Sequence, residues 1–558
     1  MSSWLMAKTI VKELISAGVQ DVVLAPGSRN AALAIALAQA EQANKIRLHI
    51  RIDERVAGFL ALGLAKASNQ VVPVICTSGT AVGNLLPAAM EARHSGIGWL
   101  LISCDRPAYQ VGTGASQTTN QTGILGDFAL ADLRLSSSSG SSRYWAAGLR
   151  RALAAAAGVR TNRMGPAQLN IEFELPILPD NPEIIDWQPV KLVQIAKLEP
   201  EKLLHRLPVG PHTVVLAGDA DLETGTQARE LASAAKLPLF AEPTSNARNC
   251  ENAISCYRLL LEGELGSQIQ RVITFGHPTL SRPVTKLLSD ENIEHIVVAN
   301  CADWFDVGAT ASQVVAGVVL DPDDGQWLQN WQQADQDLRS KMDAFAQGSA
   351  PRGKLSGYTL ASAVVAASHA GENLVFGSSN PIRDADLAPI NTNSAITWAN
   401  RGLAGIDGTI ATSIGIAIAT GKPTTLLLGD LAFQHDLGSL VFSPDEIRPN
   451  LRIVVADDNG GSIFHLLEQG SAEYSPWFER VFATPQSQDL TKIAASFGHQ
   501  STTITTKEQL LVALEKPIIG IEILIVKIPR DNRRELLTIL NSNSGPHPDP
   551  LPEGEGIK

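Results

Sequence analysis

Two stretches, one near each end of this chain, carry the same order of turn and helix residues at a single constant offset. Gly27-Ser28-x-Asn30 follows one short apolar run and Gly377-Ser378-x-Asn380 follows another; at that same offset Gly58, Pro73 and Gly79 correspond to Gly408, Pro423 and Gly429. In both copies an Ala- and Gly-rich helical segment leads through the proline into an apolar run that stops at the glycine. ISCDRP at 102–107 parallels VVADDNGG at 454–461 with a few residues of slippage. Chance supplies one such match easily, but several in one register predict two related domains. Apolar runs at 22–25, 71–76, 99–103, 214–217, 272–275, 424–428 and 453–456 alternate with helix-periodic segments, the pattern of α/β folds built on parallel sheets. In such sheets ligands bind beyond the carboxyl ends of the strands, where these Gly and Asp residues fall.

Two irregular, Pro-rich stretches at 175–189 and 347–357 divide the 558 residues into thirds. The expected organisation is three doubly wound parallel-sheet α/β domains: 1–185 and 357–540, related to each other, and 190–347 between them. A Pro-, Gly- and Ser-rich tail at 541–558 is expected to be disordered. Gly218-Asp219 in the middle third reads more readily as a turn than as a nucleotide site, and Ser-rich 136–142 reads as a mobile surface loop. The net charge of −12 argues against bulk nucleic-acid binding and against an anionic membrane surface. It leaves room for anionic small molecules in a local arginine pocket. Five cysteines, without a CxxC pair or nearby histidines at zinc spacing, predict a reduced, cytoplasmic chain without structural zinc. Lys8, Lys12 and Glu13 interrupt the opening segment, which therefore reads as an amphipathic helix and not a signal peptide. No apolar run approaches the ~18 residues of a membrane span.

Several familiar signatures fail. GIAIATGK at 415–422 has P-loop character, but its glycines are too far apart and Pro423 stands where a Ser or Thr would meet magnesium. Gly112-Thr-Gly114 lacks the third glycine of a dinucleotide fingerprint, and neither GxSxG nor HExxH occurs. Hydrolase, kinase and zincin readings drop out. What remains is Gly429-Asp430-Leu431 after one apolar run, and Asp458 with Asn459-Gly460-Gly461 after the next. Two adjacent strand ends would present two hard oxygen ligands to one divalent cation, with phosphate oxygens completing its shell. Taken alone, the pair reads slightly more readily as two ordinary strand-end turns.

This pair resembles the metal motif of the thiamine-diphosphate-dependent enzyme superfamily, a Gly-Asp-Gly followed at short range by an Asn pair. Leu431 replaces the last Gly, and Asp458 stands where an Asn is usual, which keeps an oxygen ligand and adds charge. The resemblance implies thiamine diphosphate with Mg2+ or Mn2+, and Asp430, Asp458 and Gly460 as metal ligands. It places Gly429, Leu431, Gly461, Ser462, Ile463 and Ser379 around the cofactor, with Ile406 supporting it from beneath. It also explains the internal repeat, because this superfamily pairs a pyrimidine-binding domain with a related diphosphate-binding domain. Glu54, in Arg51-Ile52-Asp53-Glu54-Arg55, matches the superfamily glutamate that holds the aminopyrimidine and is the implied catalytic residue. A carboxylate in a partly dry cleft suits that proton work; alone, Glu54 would also pass as a helix N-terminal acid stabilised by the dipole.

APGSRN (25–30), RIDERVAGFLALGLAK (51–66), CDRP (104–107), GASQ (114–117), ANRGLAGIDG (399–408), GDL (429–431) and DNGGSIFHLL (458–467) narrow the resemblance to the SEPHCHC synthase family. The middle third matches it weakly. Membership implies a transferase of menaquinone biosynthesis that decarboxylates 2-oxoglutarate and adds the succinyl unit 1,4 to isochorismate. Both substrates are dianions, so the cleft needs guanidiniums that bind carboxylates bidentately. Arg29, Arg106, Arg383 and Arg401 match the family's basic positions, and Arg282 aligns less securely because Pro283 follows it. Ser28, Gln117 and Ser379 fit as polar partners and Phe464 as a cavity wall, while Ser116 stands where the family usually has Asn. Any one of these arginines would otherwise be a surface salt bridge, and Ile406, Ile463 and Phe464 would be core. His435 and His465 read as helix-face residues. The resemblance further implies a homodimer or homotetramer with active sites at the subunit interface. The competing reading is another carboligase or 2-oxoacid decarboxylase, acetolactate-synthase-like, against which the arginines argue.

Overall fold

The computed structural model describes residues 2–530 apart from Pro182, Pro189, 191–192, Gln194, 198–203 and 349–354. The tail at 541–558, and parts of both Pro-rich stretches, therefore lie outside the described residues. The first sheet contains β1 (Asp21–Leu24), β2 (Arg47–Ile50), β3 (Val72–Cys76), β4 (Trp99–Asp105), β5 (Asp132–Ser136) and β6 (Pro166–Glu172), in the order β2-β1-β3-β4-β6-β5. Next come β7 (His205–Leu207), β8 (Thr213–Ala217), β9 (Leu239–Ala241), β10 (Arg271–Phe275), β11 (Glu294–Val298), β12 (Ala311–Val315) and β13 (Val318–Leu320). They form a sheet ordered β12-β11-β10-β8-β9 beside a β13-β7 pair. The last sheet holds β14 (Asn373–Phe376), β15 (Ile396–Trp398), β16 (Thr424–Gly429), β17 (Leu451–Asp457), β18 (Gln500–Ile504) and β19 (Ile521–Lys527), ordered β15-β14-β16-β17-β19-β18.

The strand pairings within these sheets are parallel, as expected for α/β layers. Counted from its own first strand, each six-stranded sheet runs in the same order, so the sequence repeat is a repeat of topology. Gly27 and Gly377 lie just past the first strands, β1 and β14; Gly79 and Gly429 lie at the ends of β3 and β16. Every position of β1, β3, β4, β6, β14 and β17 is buried. That is why β1, β3, β4 and β17 contain unbroken apolar runs and not alternating ones, whereas β6 buries Gln168, Asn170 and Glu172 among its apolar residues.

The Ala/Gly-rich character of the repeated helices also has a physical cause. The Glu54–Ser68 helix, capped by Asp53, crosses the Thr409–Thr420 helix at close range. A Cβ on Gly415 would stand 2.6 Å from Leu64 N, and one on Gly408 would overlap the Phe59 ring. Around this crossing Val56, Leu60, Leu64, Ile410 and Ile414 belong to one apolar cluster that spans both sheets. At about 1.5–3 kcal/mol for each large side chain buried, this shared core welds the first and third domains together within one chain.

Two local expectations are modified. Ser137, in the Ser-rich stretch, is buried and its hydroxyl accepts Glu174 N–H at 2.9 Å, so the start of that stretch is pinned to the end of the first sheet while 138–141 are exposed. Ile185, within the first Pro-rich stretch, is buried in the first domain's core and donates its N–H to Gln39 Oε1 at 3.0 Å. Ser356 starts the Gly357–Ala367 helix with a capping box. Among the described residues no helix is long and apolar enough to cross a membrane.

Candidate active site

The carboxyl ends of β14, β16 and β17, neighbours in the last sheet, gather the metal-motif residues. Asp430 opens the short Asp430–His435 helix directly after β16, and Asp458 follows β17; both are buried. Burial, and then the charges of Asp458 and Asp457, push the Asp430 carboxyl up to about 7, opposed by backbone N–H groups of Leu431 and Gly460. Asp458 accepts from the Ser462 hydroxyl, which in turn accepts Asn380 Nδ2 at 2.6 Å. Three strand-end loops are thereby joined in one polar network. A Cβ at Gly429 would meet open space, so the end of β16 faces free volume.

Gly460 and Gly461 also serve the packing of the loop. Gly460 has φ +133°, and a Cβ on Gly461 would stand 2.6 Å from the Phe482 carbonyl oxygen. The Gly461 N–H donates to Ala483 O at 2.7 Å. The glycine pair thus admits the Glu479–Ala483 turn against the loop. Ile463 and Phe464 are half-buried in the Ser462–Leu466 turn, and the Phe464 ring lies 5.7 Å from that of Phe482. Ser379 has φ +78°, a backbone conformation costly for a residue with a side chain and typical of functional sites. Its carbonyl accepts Arg383 Nη1 at 2.9 Å. Leu431 is half-buried beside Asp430, and Ile406 is partly exposed on the loop before the Thr409–Thr420 helix. His435 ends its short helix, and the His465 ring lies 4.1 Å from that of Phe478.

The first sheet gathers a second group at its own carboxyl edge. Glu54 is half-buried at the start of its helix, close enough to Cys76 at the end of β3 to help raise that thiol's pKa, after burial. Arg29, after β1, is buried and donates to Phe173 O at 3.2 Å. Burial, then the neighbouring Arg106 guanidinium, lowers the pKa of Arg29. Arg106 Nε is buried without a hydrogen-bond partner in the protein. Two guanidiniums forced together, one with an idle donor, are an arrangement that an anion would relieve. Ser28 is exposed beside Arg29. Gln117, exposed at φ +54°, is locked to the loop after β3: its Nε2 donates to Ser78 O at 2.9 Å and Ser78 Oγ donates to its carbonyl at 2.8 Å.

A third group lies where the central domain meets the last. Arg401 is buried, and its Nε and Nη2 donate to Thr279 Oγ1 at 3.1 and 2.7 Å. Arg383 is half-buried; burial and the nearby Arg401 and Arg258 charges lower its pKa. Arg282 begins the Arg282–Leu288 helix and is exposed just beyond the Thr279 loop. Glu242, fully enclosed here, has its carboxyl pushed up to about 8 chiefly by burial.

The donor set suits a hard divalent cation held by few carboxylates and completed by phosphate oxygens. Asp430 and Asp458 stand beside open volume at Gly429, and the buried Asn380 Oδ1 of the same network has no partner in the protein. In sequence Asn380 stands out only as part of the repeat; neither spacing nor composition marks its polar role.

The sequence profile described as "Thiamine pyrophosphate enzyme, N-terminal TPP binding domain" matches residues 6–124, the segment that carries β1 to β4 and Glu54. The fold and the paired strand-end groups define the class as thiamine-diphosphate enzymes. A 2-succinyl-5-enolpyruvyl-6-hydroxy-3-cyclohexene-1-carboxylate (SEPHCHC) synthase of Nocardioides sp. is 41% identical over 549 residues, covering 95% of this chain and 96% of that protein. The synthases of Kineococcus radiotolerans (42% over 552 residues, 95% and 97% covered) and Renibacterium salmoninarum (43% over 544 residues, 95% of each) are similar throughout. The chain belongs to the SEPHCHC synthase family.

Proposed function

We propose that this chain is a cytoplasmic transferase that uses thiamine diphosphate to decarboxylate 2-oxoglutarate and add the succinyl unit 1,4 to isochorismate. The products are SEPHCHC and carbon dioxide, and the step belongs to menaquinone biosynthesis. The observation that carries the reading is the Asp430–Asp458 pair at open strand ends, in a chain related to SEPHCHC synthases over nearly its whole length. Bound thiamine diphosphate supplies a carbon nucleophile and takes up the electron pair released when carbon dioxide leaves.

The residues divide the remaining work. Asp430, Asp458 and the Gly460 carbonyl would hold Mg2+ or Mn2+; Gly429, Leu431, Gly461, Ser462, Ile463 and Ser379 would line the diphosphate side, and Ile406 would support the cofactor from beneath. Glu54 holds and returns a proton at the aminopyrimidine N1′, the general acid–base role open to a half-buried carboxylate. Arg29, Arg106, Arg383 and Arg401, with Arg282 at the edge, neutralise the substrate carboxylates, and Ser28, Gln117 and Ser379 orient them. Phe464 closes the cavity to water. In this chain Glu54 lies near Cys76 of the first sheet and Asp430 near Asp458 of the last. The two halves meet when the first domain of one subunit faces the third domain of another, in a homodimer or homotetramer.

The test is carbon dioxide release from 2-oxoglutarate by the purified protein, with and without thiamine diphosphate, Mg2+ and isochorismate. Release that needs cofactor and metal and rises with isochorismate is expected, together with SEPHCHC as product. Release indifferent to isochorismate would point to another carboligase.

A further inference from the structure

Arg401 is held from two sides by residues of the other two domains. The N–H groups of Gly402 and Leu403 donate to the buried carboxylate of Glu91, both at 2.8 Å, and Ser95 Oγ donates to the same carboxylate at 2.7 Å. Glu91 lies in the Leu86–Ser95 helix of the first domain. The fit is close: a Cβ on Gly402 would stand 2.9 Å from the Glu91 carbonyl oxygen. From the central domain Thr279, in the loop after β10, accepts Nε and Nη2 of Arg401 on its hydroxyl oxygen at 3.1 and 2.7 Å. That loop is itself tied down, since Thr279 and Leu280 donate their N–H groups to Glu242 at 2.9 and 2.8 Å.

A guanidinium presents its N–H donors in a rigid planar fork. Thr279 occupies the Nε edge of that fork, which leaves the Nη1 side for a carboxylate and fixes the plane in which it is offered. An unrestrained arginine loses rotamer freedom when it closes on an anion. Here that freedom is already lost on folding, and preorganisation of this kind shows up as affinity.

We infer that Glu91 and Thr279 are positioning residues that orient Arg401 toward a dianionic substrate, so that the first and central domains shape the pocket of the third within the same chain. The inference rests on the reading of Arg401 as a carboxylate-binding residue.

Three variants test it in the holoenzyme. Thr279→Val keeps the shape and removes the acceptor, Thr279→Ser keeps the acceptor, and Glu91→Gln turns one acceptor oxygen into a donor. Steady-state kinetics with both substrates are paired with titration of succinate, a dianionic probe that does not react. Thr279→Val is expected to raise KM for one substrate and to weaken succinate by about 10-fold, the loss of a hydrogen bond to a charged group. Its kcat should change by less than about twofold, as befits a loss of ground-state binding. Thr279→Ser should behave as wild type, and Glu91→Gln should move the same KM in the same direction. Unchanged KM values and succinate affinity in Thr279→Val would overturn the inference, as would a Thr279→Ser variant equally damaged, which would mark a packing role. If the wild type forms no product while succinate affinity still falls in Thr279→Val and not in Thr279→Ser, the assigned reaction fails and the positioning stands.

Discussion

Gly63 and Thr412 meet backbone to backbone where the first and third domains join: a Cβ on Gly63 would lie 2.8 Å from the Thr412 carbonyl carbon. No flexible side chain is available to yield there, so Gly63→Ala must push the two helices apart. We expect a loss of ~1–3 kcal/mol or more, the usual cost of overpacking. It should appear as a lower denaturant midpoint with an unchanged slope. A variant as stable as wild type would show that the crossing has room the geometry denies.

Glu54→Gln preserves volume and the start of the helix, which Asp53 caps by accepting Arg55 N–H at 2.9 Å. The fold and cofactor affinity should therefore survive. Turnover should fall at least ~10²-fold, the scale of a lost acid–base group. Near-normal turnover would remove Glu54 from the proposed proton transfer.

Asp430 and Asp458 should separate under substitution. Asp430→Asn removes the carboxylate whose ionisation burial and two like charges oppose and a bound cation would restore. Mg2+-dependent binding of thiamine diphosphate, followed by tryptophan fluorescence, is expected to weaken at least ~10-fold, the loss that removing even an outer-shell partner causes. Asp458→Asn keeps an oxygen ligand and removes one charge, so its smaller effect should differ between Mg2+ and Mn2+. Cofactor binding independent of metal in both variants would contradict the proposed site.

Glu242 makes stability depend on pH. Its carboxyl titrates near 4.5 when unfolded and is pushed up to about 8 when folded, chiefly by burial, with the nearby Asp386 charge adding to it and Arg401 opposing it. The raised value means that the folded state holds the proton more tightly. The stabilisation is full below the unfolded value and is lost as pH climbs toward 8. Glu242→Gln, which keeps an oxygen acceptor for the Thr279 and Leu280 N–H groups, should gain on wild type across that window by up to about 1.4 kcal/mol per pH unit. Parallel stability curves for the two proteins between pH 5 and 8 would show that Glu242 stays ionised.

Much of the architecture was legible in the chain because parallel, doubly covered strands have a one-dimensional signature. Val72–Cys76 and Leu451–Asp457 are buried on both faces, so their apolar runs announce them. The Gly and Asp residues at their ends mark the edge where ligands gather. Asp430 and Asp458 come from adjacent strands, β16 and β17, and their proximity follows from that order alone. Within the Ser-rich stretch Ser138, Ser139 and Ser141 are exposed, and Ser137 is the exception, buried by contacts with Glu174 and Ser3 that serine composition does not announce.

Local pattern, then, determined the strand runs, the repeat, the strand-end acids and the candidate arginines, since each depends on a handful of neighbouring residues. Only the tertiary structure decided which residues hold them. Glu91 reaches Gly402 and Leu403, Thr279 reaches Arg401, and Phe482 and Ala483 need the glycines at 460–461. These contacts join segments far apart in the chain. A buried glutamate or threonine looks like any other in sequence, and it acquires a role only when packing brings its partners within hydrogen-bond reach.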